Sequence, residues 1–288
     1  MSDQIVLEKN YMSIWQPNLF KGKVVFVTGG AGTICSQQTA ALIQLGCNAA
    51  IIGRNIEKTE KAAKDLQNLR SDSKVLGIGN IDVRKIDDLI KAVNETVLKL
   101  GRIDFVICGA AGNFLSDFNH LSSNAFKTVV DIDLIGSFNT VKACYKELVK
   151  NKGNIIMVSA TLHYYGVPFQ LHVGAAKAGV DALCNALAVE LGPLGIRCNA
   201  LAPGPIGGTE GMKRLSRNEE FSSKVPIQRL GKTSDIANAT IFLFSEAASF
   251  ITGTVQVVDG GYWHVGNIQG AKLYPEYLKK QLLDTPKL

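Results

Sequence analysis

Short apolar runs alternate with amphipathic stretches along most of the 288-residue chain. Val24–Thr28 is apolar and rich in β-branched residues, the signature of a strand buried on both faces. The same signal recurs at Ala49–Gly53, Val75–Ile81, Ile103–Gly109, Asn154–Ser159, Arg197–Ala202 and Thr254–Val258, which predicts seven strands. Helical spacing fills the gaps. Ala40–Leu45 ends at Gly46, Glu57–Arg70 is amphipathic, and Ile86–Leu100 is closed by Gly101. A long helical stretch, continuous or interrupted, runs from about Ser123 to Lys150, and Ala175–Leu191 is strongly helical. Repeated strand–helix units of this kind predict one α/β domain with a doubly wound parallel sheet over residues 21–263. Residues 1–20 and 264–288 read as an N-terminal and a C-terminal arm.

Composition narrows the function classes. The chain is 46% hydrophobic and 19% charged, ordinary for a globular protein. No segment approaches the roughly 20 unbroken apolar residues of a membrane span, and the acidic start MSDQIVLEKNYMSIW is unlike a secretory signal. The formal net charge is +6, without a block of like charges or a basic stripe interleaved with aromatics, so nucleic-acid binding has little support. The six cysteines form no C-x-x-C pair and sit mostly in apolar runs, which predicts reduced core residues. The four histidines are scattered, so no metal site is expected.

One turn carries candidate chemistry. TGGAGTIC, Thr28–Cys35, joins the first strand to the first helix. A glycine-rich turn running into a helix N-terminus offers backbone N–H groups to a dinucleotide pyrophosphate, the arrangement of a Rossmann-type fold. Gly29, Gly30 and Gly32 permit close approach, with Ala31, Thr33 and Ile34 completing the turn. After the second strand, an NAD site wants an acidic residue for the ribose. Here Gly53 is followed by Arg54, with Lys58 nearby, a pair suited to a 2′-phosphate, so NADPH is the expected cofactor.

Taken together, the turn, Asp82-Val83, Cys108–Gly112, the helix bearing Lys177 and the P-G-P-I run at Pro203–Ile206 resemble the short-chain dehydrogenase/reductase family over residues 20–263. Ala110–Phe114, Asn124–Asp133, Ala202–Gly211 and Ile227–Gly231 are more narrowly similar to its peroxisomal 2,4-dienoyl-CoA reductases, fungal members in particular. The resemblance implies that Asp82 and Val83 meet the adenine. It implies further that Ala110 and Gly112 flank the cofactor, and that Pro203, Gly204, Ile206 and Thr209 border the nicotinamide.

Most of that family reduces carbonyls with a tyrosine four residues before the lysine, a serine thirteen residues before the tyrosine, and an asparagine upstream. Here the four positions read Asp133, Ala160, Val173 and Lys177. Val173 and Ala160 have no acid or hydroxyl, and strand pleating sends the adjacent Ser159 to the opposite face. The loss argues against ketone chemistry but not against hydride transfer to a conjugated dienoyl thioester, whose negative charge spreads to the thioester oxygen. By the resemblance, Asp133 and Lys177 are catalytic, positioning and activating a proton-delivering water, and Lys177 also bonds the nicotinamide ribose. Tyr164 or Tyr165 is the alternative acid; otherwise the two line the acyl pocket.

The substrate implied is an acyl-CoA, contacted by Arg84, Asn113, Phe114, Ser122 and Arg214. Relatives are homo-oligomers, tetramers or dimers. The chain ends Pro286-Lys287-Leu288, a nonstandard form of the S-K-L address read by the peroxisomal import receptor. Two rivals stand beside the dienoyl-CoA reading: a reductase of 2-enoyl or 3-oxoacyl thioesters, and a catalytically inactive NADPH-binding protein.

Overall fold

A computed structural model describes residues 14–215 and 219–266, and the side chains of 214, 215 and 219–221 are excluded from that description. Chain order is β1 (Val24–Thr28), α1 (Thr33–Gln44), β2 (Asn48–Ile52), α2 (Ile56–Gln67), β3 (Val75–Ile78), α3 (Ile86–Leu100) and β4 (Phe105–Cys108). There follow α4 (Ser123–Val130), a π-helical turn at Asp131–Ile135, α5 (Gly136–Asn151), β5 (Asn154–Val158), α6 (Leu162–Tyr165) and α7 (Leu171–Leu191). The described chain closes with β6 (Arg197–Pro203), α8 (Glu210–Leu215), α9 (Thr233–Phe244), β7 (Val255–Val258) and α10 (Tyr262–Val265).

The strands form one sheet in the order β3-β2-β1-β4-β5-β6-β7, and every pairing is parallel. Alternate residues of each strand go to opposite faces, and the two cores follow that alternation. Val25, Val27, Ile51 and Ile107 pack with α1, α2 and α9, whereas Phe26, Ala50, Ile52 and Val106 pack with α3, α5 and α7. Both faces are covered, which is why the strands read as unbroken apolar runs. Strand order reverses between β1 and β4, so the crevice beyond the carboxyl ends of these strands is where such a sheet binds ligands.

Four local differences from the sequence pattern matter. The third strand stops at Ile78, not Ile81, because the chain turns through Gly79 and Asn80, whose φ is 56°. Asp82 therefore lies in a loop rather than at a strand end. The long helical stretch is broken by the π turn, an inserted residue's worth of winding that periodicity does not reveal. The helix expected to begin at Ala175 begins at Leu171, which brings His172 and Val173 into its first turn. A helix absent from the pattern, α9, is buried along most of its length against α1 and so lacks an amphipathic period.

The described part of the expected N-terminal arm packs on the domain. Phe20 is buried and meets Phe105 edge-on, and the Trp15 indole N–H donates to Asn238 Oδ1 at 2.8 Å. At the other end, α10 spans the expected boundary at residue 263, while residues 1–13 and 267–288, including Pro286–Leu288, lie outside the described residues. All six cysteines are buried and free. Among the described residues no helix is long and apolar enough to cross a membrane.

Candidate active site

The turn after β1 keeps its cradle despite Thr33 and Cys35. Gly29 has φ +68°, and a Cβ there would sit 2.7 Å from the Gly109 carbonyl oxygen, so only glycine fits this approach of two loops. Gly32 caps α1 without a side-chain bond, and the first turn has no acidic residue, so its N–H groups are open to an anion. The Cys35 thiol is accommodated across the sheet. A Cβ on Gly109 would lie 2.2 Å from Cys35 Sγ, so the space normally left by a glycine in the helix is supplied by one after β4. Burial pushes the Cys35 thiol up to about 12, leaving a packing group rather than a nucleophile.

Gly29, Ala31, Arg54, Lys58, Asp82, Val83 and Ala110 line a single cleft of about 560 Å³ beside this turn. Its size and its glycine cradle fit the adenosine-phosphate half of a dinucleotide. Gly30 backs onto Ile51, and Ile34 packs against the core. The two basic residues differ: Lys58 Nζ is 3.0 Å from Glu210 Oε1, while Arg54 is exposed and makes no ion pair among the described residues. At the far end, Gly204 lies against Asp259, Ile206 is buried beside Gly231, and Thr209 Oγ1 accepts from Met212 N at 3.1 Å and donates to Ile206 O at 2.8 Å.

Asp133 and Lys177 meet in the interior. Asp133 sits in the π turn and is fully buried, and Lys177 on α7 is 6% exposed, so the lysine is not a surface residue. Lys177 Nζ donates to Val158 O at 2.8 Å and lies 3.1 Å from Asp133 Oδ2. The second contact is an ion pair whose angle misses hydrogen-bond geometry, so Oδ2 keeps an unused acceptor. The other oxygen, Oδ1, accepts from Gly112 N at 2.7 Å. Four segments thus converge: α7, the end of β5, the loop after β4 and the π turn. An ammonium has three donors, and these contacts leave capacity for a ligand.

Val173 is buried with Val129 and Ala176 in a small apolar cluster at the usual tyrosine position. Ser159 is buried as well, and its Oγ has no partner. The two tyrosines are engaged elsewhere. Tyr164 Oη donates to Asp181 Oδ2 at 3.4 Å and its ring meets Trp263, while Tyr165 packs edge-on to Tyr262. Burial, reinforced for Tyr164 by the Asp181 charge, pushes both phenols up to about 12, which makes them poor acids near neutral pH. Asp181 also accepts from or is paired with His163 Nε2 at 2.7 Å.

Of the expected acyl-CoA contacts, Arg84, Asn113, Phe114 and Ser122 have described side chains. Arg84 pairs with Asp82, with Nε 2.9 Å from Oδ1 and Nη2 2.5 Å from Oδ2, and its side chain stays partly exposed. Those hydrogen bonds hold the Asp82 carboxyl below the usual carboxylate range. Ser122 is an exposed helix cap whose Oγ accepts from Ala125 N at 3.1 Å. Asn113 and Phe114 continue the loop that begins with Gly112, and Phe114 stacks on His172 with ring centroids 4.3 Å apart. The side chain of Arg214 lies outside the described residues. Sequence reasoning passed over Gly112 as a carboxylate partner, because a backbone N–H leaves no trace in residue type, and it passed over His172.

A family model described as "Enoyl-(Acyl carrier protein) reductase" matches residues 29–263. The chain is 63% identical over 272 residues, 93% of each chain, to the (3E)-enoyl-CoA-producing peroxisomal 2,4-dienoyl-CoA reductase of Saccharomyces cerevisiae. It is 44% identical over 258 residues to the protein of the same description from Danio rerio, covering 88% of this chain and 85% of that one. Among solved structures, a short chain dehydrogenase from Bacillus anthracis superposes with a TM-score of 0.75 at 36% identity, over 84% of this chain and 96% of that one. The chain belongs to the short-chain dehydrogenase/reductase family, in the branch of the peroxisomal 2,4-dienoyl-CoA reductases.

Proposed function

We propose that this protein reduces 2,4-dienoyl-CoA thioesters to 3-enoyl-CoA with NADPH, through a proton delivered at the buried Asp133–Lys177 pair. The observation that carries the reading is that pair, retained and buried where the usual tyrosine and serine are replaced by Val173 and Ala160. As a member of its family the protein is an oxidoreductase with a nicotinamide cofactor.

The chemistry NADPH supplies when bound is a hydride to C5 of the dienoyl chain, which leaves dienolate charge on the thioester oxygen. Lys177 and Asp133 then hold a water between the free N–H of the ammonium and the unused lone pair of Oδ2. That water protonates C2, leaving the remaining double bond between C3 and C4, and the ion pair stabilises the hydroxide until it is reprotonated. Lys177 also bonds the nicotinamide ribose, and Gly112 N fixes the carboxylate through Oδ1. The turn at Gly29–Ile34 takes the pyrophosphate, Asp82 and Val83 the adenine, and Pro203–Thr209 the carboxamide end. Phe114 and Asn113 face the acyl thioester.

Arg54 is the discriminating residue for NADPH: it is exposed at the adenosine cleft without an ion pair among the described residues, whereas Lys58 is shared with Glu210. Arg54→Asp is expected to shift the ratio of kcat/KM for NADPH over NADH toward NADH by about 10–100-fold, the worth of one charge-assisted phosphate contact plus repulsion. An unchanged ratio in steady-state assays contradicts the assignment.

Relatives named as peroxisomal support a peroxisomal location, and the reading extends to recognition of the Pro-Lys-Leu tail by the import receptor and to assembly as a homo-oligomer, a tetramer or a dimer. The test of the function is consumption of NADPH by purified protein with 2,4-hexadienoyl-CoA. Turnover of 2-enoyl or 3-oxoacyl thioesters in preference, or tight NADPH binding with no turnover, rejects it.

A further inference from the structure

Buried polar atoms in folded proteins almost always have hydrogen-bond partners, and those that lack one mark a ligand contact or a functional group. Among the described residues, His172 is the one side chain with two buried polar atoms and no partner for either. Its ring is fully buried, and both Nδ1 and Nε2 are unpaired. The Phe114 backbone faces the ring without reaching hydrogen-bond geometry. Burial holds the imidazole below the ordinary histidine value, despite the nearby Asp133 carboxylate, so the ring is neutral at pH 7 and carries one N–H donor.

The surroundings tie this ring to the reacting centre. His172 stands in the first turn of α7, five residues before Lys177. It stacks on Phe114, two residues beyond Gly112, whose N–H binds Asp133. The loop from Gly112 to Phe114 thus touches both Asp133, through its first residue, and the His172 ring, through its last. The reaction, meanwhile, lacks an oxyanion donor: Ala160 and Val173 occupy the positions that hold the carbonyl oxygen in the rest of the family, and Lys177 and Asp133 are committed to the proton. A neutral donor suits this task, since it stabilises developing negative charge without protonating it outright.

We infer that His172 is the oxyanion donor of this site, its ring N–H bonding the acyl thioester oxygen on which dienolate charge collects, while Phe114 holds the ring plane. The inference rests on the acyl-thioester reading of the site. No proton leaves the imidazole in the step; the hydrogen bond strengthens as the carbonyl becomes a dienolate and relaxes when C2 is protonated.

His172→Phe tests it, because phenylalanine keeps the shape and the stack on Phe114 and removes both unpaired nitrogens. The expected result is a kcat with 2,4-hexadienoyl-CoA lower by about 10²–10³-fold, with KM for NADPH unchanged. The melting temperature is expected to be unchanged or higher, since two buried unsatisfied atoms are gone. His172→Gln, which restores an N–H donor, is expected to recover about tenfold of the loss. In protein labelled with [15N]histidine, hexanoyl-CoA added with NADP+ is expected to shift the His172 ring resonance, identified by its absence from His172→Phe. A kcat within about threefold of the parent in His172→Phe overturns the inference, as does a loss of activity matched by a fall in melting temperature, or a ring resonance that ignores the saturated thioester. Failure of the unsubstituted protein to reduce 2,4-hexadienoyl-CoA is a separate result that rejects the reaction, and the ring resonance with a saturated thioester still reports on the donor.

Discussion

Asp133→Asn lowers kcat for dienoyl-CoA reduction by about 10²–10⁴-fold, the usual worth of a positioned acid–base group. Asparagine is the informative replacement. Its Oδ1 can still accept from Gly112 N, which now binds the carboxylate at 2.7 Å, so the loop after β4 stays in register with the π turn. It is also the residue that most of the family places there, so it is sterically tolerated by this architecture. Only the charge facing Lys177 and the second acceptor are lost. The buried Lys177 ammonium loses its counter-charge, at a cost of up to about 3–5 kcal/mol. The expected pattern is therefore a large fall in kcat with a small change in KM for the thioester and a melt that is still cooperative but lower than that of the parent. A kcat within about threefold of the parent removes Asp133 from proton delivery.

Lys177→Met has the larger effect, because one ammonium serves two ligands. It faces Asp133, it is anchored on Val158 O, and its remaining donor capacity is assigned to the cofactor ribose and the water. Losing proton delivery costs about 10²–10⁴ in kcat, and losing a charged hydrogen bond to the ribose weakens NADPH by about another 10–100-fold. The substitution is not structurally silent. Methionine fills the volume of the lysine stem, but Asp133 remains fully buried without a counter-charge, and removing one partner of a buried pair costs about 3–5 kcal/mol. Alanine would add a cavity to that cost. The checks are kcat, KM for NADPH and thermal melts together. A variant that keeps NADPH affinity while losing kcat limits Lys177 to the proton step, and one with parental kcat refutes its role.

The fold was legible because its strands are buried on both faces. Parallel strands covered by helices leave continuous apolar runs, and those runs identified all seven positions in the sheet. What escaped was structure that leaves no period. The helix α9 is buried nearly all round and shows no polar face, and the π turn at Asp131–Ile135 is a local widening of the helix that the residues DIDLI do not announce. Strand ends slipped where Gly79 and Asn80 turn the chain before Asp82.

Lys177 and Asp133 stood out as candidates in the sequence because the residues missing around them, at Val173 and Ala160, made them conspicuous. That these two are buried and 3.1 Å apart is a property of the fold alone, since 44 positions of sequence separate them and four segments must converge. The same convergence accounts for Cys35: its mismatch in the glycine turn is absorbed by Gly109, a residue from a different strand end. The pairing of Arg84 with Asp82, two positions earlier, is likewise a feature of the fold that residue type alone does not show.

The most direct test of the reaction is to trace where its two hydrogens go. Purified protein would be given 2,4-hexadienoyl-CoA with NADPH deuterated at the transferable C4 position, and separately with unlabelled NADPH in D2O, and the product identified by mass spectrometry and NMR. The expected product is 3-hexenoyl-CoA, with the cofactor deuterium on C5 and the solvent deuterium on C2. A 2-enoyl product, cofactor deuterium on C3, or no consumption of NADPH contradicts a site that collects charge on the thioester oxygen and protonates C2 from the Asp133–Lys177 pair.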